Sequence, residues 1–170
     1  MASTTVGISD IGVYIPAFRL KREELARAWG GKAASGEKAV ANFDEDALTL
    51  GTEAALAALG DPSHASIDGL YFASTTSPYL QKQSASVIAA ACDLPPQLDT
   101  IDFAGSLRGG TSALRSARNA ILSGSARSIL VVAADKRPTE PETPQESASG
   151  DAAAAFLVSG ENVAVEIEQV

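Results

Sequence analysis

The sequence has few side chains suited to redox or metal chemistry. Among its 170 residues there is one cysteine, Cys92, and one histidine, His64. These counts exclude an intramolecular disulfide, a CxxC metal pair and a two-histidine metal site within the chain, so no metal site is predicted. Ser-His-Asp or Cys-His catalysis within the chain would need His64, whose polar, turn-like surroundings are more typical of a solvated loop. Cys92 follows small apolar residues and is more typical of core packing than of a nucleophile.

Positive charge and long apolar runs are also scarce. The net charge is -8 and the sequence pI is about 4.6. Nucleic acids and anionic membranes attract cationic surfaces, so neither is an expected partner. No apolar run approaches the roughly 20 residues that span a bilayer, and the N-terminus lacks the basic, apolar and small-residue order of a secretory signal. We therefore expect a cytoplasmic protein.

Strand-like and helix-like segments alternate along the chain, which at 45% hydrophobic residues fits one domain over residues 1–170. The repeated β-α order favours a parallel core. A turn at 160–162 is predicted to join the last two strands as a hairpin. Segments 32–42 and 135–149 are predicted to be loops, the first of them mobile. The predicted strands are 6–15, 67–74, 100–104, 128–134, 150–158 and 163–170, and the predicted helices are 23–29, 44–59, 84–92 and 111–122.

Two local patterns predict how particular elements begin and end. The acidic run Asp44–Asp46 is interpreted as negative charge at a helix N-terminus, with one apolar face formed by Leu48, Ala55, Leu56 and Leu59. The strand 67–74 ends in a polar loop that begins at Thr75. Because open α/β sheets bind ligands at the carboxyl ends of their strands, Thr75 is a candidate site residue.

The most informative stretch is the turn before the helix 111–122, which contains Ser106, Leu107 and Arg108. Free backbone N–H groups at a helix start attract an anion or a developing oxyanion. Gly105 and Gly110 have the spacing of a phosphate-binding G-x-x-x-x-G-K-[ST] loop, and a later apolar strand closes on an aspartate at 135. Thr111 replaces the lysine, however, which makes nucleotide binding the weaker interpretation. A third interpretation is structural, with Ser106 and Arg108 serving as a helix cap and a solvated side chain.

Four segments together resemble the N-terminal half of the thiolase superfamily, and most closely 3-hydroxy-3-methylglutaryl-CoA (HMG-CoA) synthase and the ketoacyl synthase III group. Their order and spacing carry the resemblance, which covers nearly the whole chain. The segments are Ile8–Pro16, similar to the opening strand; Asp44–Leu50, similar to the first helix; Ser128–Asp135, similar to the strand after the nucleophile helix; and Gly150–Ala155, similar to the later glycine-containing hairpin.

The resemblance implies a fold and a site. The implied fold is an α/β thiolase-like half, with a βαβαβαββ mixed five-stranded sheet and helices on both faces. Matching Gly109, Gly110 and Thr111 to the family's nucleophile segment puts Leu107 at the position of the acyl-accepting cysteine. Ser106 is then the neighbouring candidate nucleophile, and Thr75 lies near the position of the family's acid/base glutamate. Arg108, Gly109, Gly110 and Thr75 are the expected substrate-binding residues.

The resemblance also implies an acyltransferase or condensing enzyme that uses acyl-CoA or an acyl carrier as substrate, without a cofactor. Leucine cannot carry an acyl group, so the usual cysteine mechanism is expected to be altered or lost. The alternative is a non-catalytic subunit that binds CoA or a partner protein. The family's remaining catalytic residues lie in a second half, so the chain is expected to be a fragment, a subunit completed by another chain, or a shortened protein. A homodimer, or pairing with a thiolase-like or OB-fold subunit, is expected.

Overall fold

A computed structural model describes residues 5–32, 34–60 and 67–168. His64 lies outside the described residues. The strands are β1 Gly7–Tyr14, β2 Phe18–Lys21, β3 Glu37–Val40, β4 Gly69–Ser74, β5 Asp99–Ala104, β6 Ser128–Asp135, β7 Ala152–Ser159 and β8 Val165–Glu166. The helices are α1 Arg22–Trp29, α2 Ala47–Leu59, α3 Ser84–Ala91, α4 Gly109–Leu122 and α5 Pro144–Ala148.

The main sheet is mixed and has the order β5-β4-β6-β7-β1-β8. Strand β4 pairs in parallel with both β5 and β6, while β7 runs antiparallel to β6 and to β1. The predicted parallel core is therefore confirmed for three strands. All six residues of β4 are buried, which agrees with its continuous apolar sequence.

The two faces of the sheet pack against different helices. Leu70 and Phe72 of β4 belong to a core with α2 and α3, whereas Tyr71 and Ala73 belong to a core with α4. This alternation follows from the two-residue period of a strand. No helix among the described residues is long and apolar enough to cross a membrane.

Helix α2 begins at Ala47, three residues after the predicted start, and only one of the three acidic residues caps it. The Asp46 carboxylate accepts hydrogen bonds from the backbone N–H groups of Leu48 and Thr49, both at 2.9 Å. Glu45 instead accepts from the hydroxyl of Tyr14. The predicted apolar face was wrong at Leu56, which is 43% exposed, because the buried stripe of α2 runs through its alanines.

The predicted loop at 32–42 contains a strand. Residues Glu37–Val40 form β3, which pairs antiparallel with β2 as a separate two-stranded sheet. Sequence reasoning missed this pair because a four-residue strand on a small sheet has almost no periodic signal. The predicted loop at 135–149 likewise contains the five-residue helix α5, which is capped by Thr143.

The predicted hairpin between the last two strands was wrong. Strand β8 pairs with β1, where Gly7 is opposite Glu166 and Ile8 is opposite Val165. Both edges of β7 are already occupied, by β6 and by β1, so the chain after residue 160 reaches the outer edge of β1. The sheet therefore has six strands rather than the expected five, the sixth being only two residues long.

Candidate active site

A cleft of about 300 Å³ opens where the carboxyl ends of β4 and β6 meet the start of α4. This is the edge at which parallel strands present their loops to ligands. The cleft brings together five of the six predicted site residues, and Arg108 is not among the residues that line it. The lining residues are Ala73, Ser74, Thr75, Ser106, Leu107, Gly109, Gly110, Ala133, Ala134, Asp135 and Ala152.

The turn into α4 is held by its own backbone. Gly105 adopts a φ of 72°, and the carbonyl of Ser106 accepts a hydrogen bond from the N–H of Gly109 at 2.9 Å. The Ser106 hydroxyl oxygen accepts from the N–H of Arg108 at 3.1 Å. Arg108 itself stands at the N-cap position without a side-chain cap, so Ser106 stabilises the turn rather than capping the helix.

Leu107 lies at the mouth of the cleft with its side chain 77% exposed. It precedes the first turn of α4, where backbone N–H groups lack intrahelical acceptors. An exposed leucine is an unusual residue for a polar ligand site, because its side chain offers neither a nucleophile nor a hydrogen bond. That Leu107 occupies the family's cysteine position stays a prediction from the sequence.

Asp135 forms the polar wall of the cleft. Sequence reasoning had noted it as the end of the Ser128–Asp135 segment and in the nucleotide-binding alternative, but had not named it as a site residue. Its carboxylate accepts hydrogen bonds from the hydroxyls of Ser74 and Thr75, both at 3.0 Å, from the hydroxyl of Thr76 at 3.1 Å, and from the Thr75 N–H at 2.7 Å. Thr75 is thus fixed in place by Asp135. The end of β6 therefore holds the loop after β4, an arrangement that requires the parallel pairing of the two strands.

A second, larger cavity of about 640 Å³ adjoins the cleft, since Thr75 lines both. Its wall carries the cationic side chains of Lys38, Lys136 and Arg137 against one acidic residue, Asp151. In a chain with a net charge of -8, this local excess of positive charge favours an anionic ligand. Sequence reasoning missed it because Lys38 lies about a hundred positions before the adjacent pair Lys136 and Arg137.

Cys92 is not part of either cavity. It is half-buried at the end of α3 and packs against the core between α2 and the sheet. Burial, together with the charge of Glu53, raises the pKa of its thiol to about 11. The thiol is therefore protonated at neutral pH, which agrees with the predicted packing role.

The chain is similar to known proteins over almost its entire length. A family model for 3-oxoacyl-[acyl-carrier-protein] synthase III matches residues 101–169. Hydroxymethylglutaryl-CoA synthase of Pyrococcus horikoshii is 38% identical over 167 residues, which cover 94% of this chain and 47% of that protein. The chain thus spans about half the length of the curated relatives that it matches.

Solved structures show the same relationship. The structure of MvaS in complex with 3-hydroxy-3-methylglutaryl coenzyme A has a TM-score of 0.84 and 31% identity, covering 93% of this chain and 40% of that one. PksG, an HMG-CoA synthase from Bacillus subtilis, has a TM-score of 0.86 and 26% identity, covering 96% and 43%.

The mixed sheet, the helix that starts at the cleft and these similarities define a thiolase-superfamily fold. Within that superfamily, the fold is of the HMG-CoA synthase and ketoacyl synthase III kind. The resemblance noted in the sequence is confirmed.

Proposed function

We propose that this chain belongs to a condensing or acyl-transfer enzyme of the thiolase superfamily that acts on acyl-CoA or on an acyl carrier, without a cofactor. The observation that carries the proposal is the cleft at the start of α4, lined by Ser106, Leu107 and Thr75, in a chain similar to HMG-CoA synthases. The adjoining cation-lined cavity supports it, because CoA carries several phosphate charges.

The cleft suits oxyanion stabilisation better than covalent catalysis. Backbone N–H groups at the start of α4 can stabilise a thioester oxygen that gains negative charge. Leu107 cannot form an acyl-enzyme, and the Ser106 hydroxyl needs an adjacent general base to attack a thioester. Asp135 is the acidic residue of the lining, and four donors already occupy its carboxylate. The proposed chemistry therefore departs from the family's cysteine mechanism.

A second candidate function is a non-catalytic subunit that binds CoA or a partner protein. The exposed leucine at 107 favours it, since the residue offers contact area but no chemistry. The acidic composition and the single cysteine fit a cytoplasmic setting, which we include in both proposals.

Radiolabelled acetyl-CoA distinguishes the two candidates. The wild-type protein is incubated with the label beside Ser106→Ala and, as a matched control, Ser86→Ala, which removes an exposed hydroxyl on α3. Label that survives denaturation, and is lost only in Ser106→Ala, supports a serine acyl-enzyme. CoA binding by calorimetry, with neither protein label nor conversion of the labelled acetyl-CoA, supports the subunit. Absence of label, conversion and binding contradicts both candidates. A thermal shift with Mg-ATP but not with CoA would instead favour the nucleotide loop.

The proposed assembly is a homodimer, or a complex with a thiolase-like or OB-fold partner. Ile11 and Val13 of β1 support it, because each is 55% exposed although both lie on a strand of the main sheet. Gly12 between them faces the backbone of α2 at Ala54 and Ala58. Ile11 and Val13 therefore point to the opposite face of the sheet, the face that carries α4. Apolar side chains exposed side by side on a strand are typical of an interface.

A further inference from the structure

A surface segment forms part of the wall of the cation-lined cavity without being packed into the core. We call residues 138–149 the strap. Pro138 and Thr139 line the cavity, and no residue of the strap is buried. Its helix α5 also has no buried residue. Since buried apolar contacts are what usually raise the free energy of local opening, the strap depends on its polar contacts.

Two cationic side chains supply those contacts. The Nε of Arg22 donates to the carbonyl oxygen of Ser147 at 2.9 Å, and the Nζ of Lys38 donates to the carbonyl oxygen of Glu146 at 2.5 Å. Within the part of the chain that the structure describes, these two hydrogen bonds are the ones that connect the strap to the rest of the fold. Both donors belong to the unit formed by β2, α1 and β3, so this small sheet holds the strap in place.

Further hydrogen bonds hold Arg22 in position beside the strap. Its Nη1 donates to the carbonyl oxygens of Ser35 at 3.2 Å and Glu37 at 3.1 Å, and its backbone N–H donates to the carbonyl of Gly36 at 3.0 Å. One guanidinium therefore joins the turn before β3 to the strap. The planar guanidinium, with several donors in fixed positions, is suited to holding the strap. Its other hydrogen bonds already restrict the Arg22 side chain, so little further side-chain entropy is lost when it binds the Ser147 carbonyl.

The Lys38 side chain contacts the cavity as well as the strap. Its side chain lines the cation-lined cavity together with Lys136 and Arg137. An ammonium group has three donors but only one charge, and an anion in the cavity binds it more strongly than a neutral carbonyl does. An anion that draws the ammonium group away from the strap therefore competes with the Glu146 carbonyl for Lys38.

We propose that the strap is a movable cover on the cation-lined cavity, tethered by Arg22 and Lys38, and that a phosphate-bearing ligand releases the Lys38 tether as it binds. The identity of that ligand as CoA rests on the proposed function; the tether does not. Ligand entry and strap opening are then coupled through one side chain, while Arg22 keeps the strap near the cavity.

Hydrogen–deuterium exchange tests the tether without any ligand. In Arg22→Met we expect amides of 140–149 to exchange at least tenfold faster than in wild type, while peptides from β6 and β7 keep their rates. Arg27→Met is the matched control, because Arg27 lies on the same helix and pairs with exposed Glu24 rather than with the strap. Arg22→Lys keeps a charged donor group and should restore part of the protection. Exchange in Arg22→Met within twofold of wild type would overturn the tether.

Exchange with added CoA, and separately with inorganic pyrophosphate, tests the coupling. Either ligand should speed exchange of the strap severalfold in wild type and leave it unchanged in Lys38→Met, whose strap already exchanges faster. Slower exchange in the presence of ligand would overturn the competition at Lys38. Binding of pyrophosphate without CoA would separate a general anion site from the acyl-CoA proposal. If neither CoA nor pyrophosphate binds, the coupling and the CoA proposal are overturned. The exchange rates of Arg22→Met still test the tether, because that experiment uses no ligand.

Discussion

At the scale of single residues, the proposed function depends on Leu107, whose side chain offers neither a nucleophile nor a hydrogen bond. Leu107 precedes the first turn of α4, in a cleft whose other lining residues are mostly alanine, glycine and hydroxyl-bearing side chains. A thiol in this place would gain from the helix dipole, which stabilises a thiolate. A cysteine at position 107 would therefore be expected to have a lowered pKa.

Leu107→Cys should create a reactive thiol. In a Cys92→Ala background, we expect its pKa to fall below the ordinary 8.5 by about one unit or more, because α4 begins beside it. The rate of alkylation by iodoacetamide, followed from pH 5 to 10, measures this pKa. Leu122→Cys, at the carboxyl end of the same helix and 44% exposed, is the matched control and should titrate at or above 8.5. Equal pKa values at the two positions would contradict the expectation.

The close packing around Gly109 leaves little room for a side chain. A Cβ there would lie 2.9 Å from the carbonyl oxygen of Phe103, whereas at Gly110 the nearest atom is the Cβ of Ala133 at 3.9 Å. We expect Gly109→Ala to lower the free energy of unfolding by about 1–3 kcal/mol through this overlap. Gly110→Ala should be neutral or slightly stabilising, since alanine favours helix. Urea unfolding of both variants measures the difference, and equal effects would contradict the close approach of α4 to β5.

At the scale of elements, several helices and strands are joined by side chains that local patterns do not reveal. Helix α3 has no side-chain cap of its own, yet the Asp102 carboxylate from β5 accepts hydrogen bonds from the N–H groups of Ser84 at 2.7 Å and Ala85 at 2.8 Å. The sequence predicted both elements with nearly correct bounds. It could not predict the cap, because the residues are about 18 positions apart and meet only through the parallel pairing of β5 with β4.

Glu45 joins β1 to the entry of α2 and makes stability depend on pH. The hydrogen bond from the Tyr14 hydroxyl, and then that from the Asn42 N–H, hold the pKa of Glu45 below its ordinary value of 4.5. A lowered folded-state pKa adds stability that is present above the unfolded pKa and lost as the pH falls through the folded pKa.

We expect Glu45→Gln to reduce the free energy of unfolding near pH 7 by up to about 1 kcal/mol, since solvent screens this group. The difference from wild type should shrink as the pH falls below 4.5. Urea unfolding at pH 7, 5, 4 and 3 measures it, with the exposed neighbour Asp44→Asn as control. A difference that grows toward acid pH would contradict the assignment.

At the scale of the whole molecule, the two faces of the sheet differ in how completely they are covered. Helices α2 and α3 cover one face, and α4 lies on the other, where Ile11 and Val13 remain exposed. The relatives that the chain matches are about twice as long as the matched region. The exposed part of the α4 face is therefore the surface to test for association.

The double variant Ile11→Glu with Val13→Glu should abolish association. We expect wild type to elute above monomer mass in size-exclusion chromatography with light scattering, and the double variant to elute as a monomer. Leu56→Glu places one similar charge on the outer surface of α2, where the wild-type leucine is 43% exposed, and should leave the mass unchanged. A monomeric wild type would contradict self-association on this face, although a hetero-partner would remain to be tested by co-purification.

The sequence by itself determined the larger elements and their order, though not β2, β3 and α5. It could do so because the two-residue and 3.6-residue apolar periods and the glycine turns are local properties of the chain. It also determined the resemblance and the candidate residues at the start of α4. Only the tertiary structure decided which residues share a cleft, since Asp135 meets Thr75 and Lys38 meets Glu146 across separations of 60 and 108 positions. It also decided that β8 pairs with β1, because an open edge of the sheet exists only once the other strands have assembled.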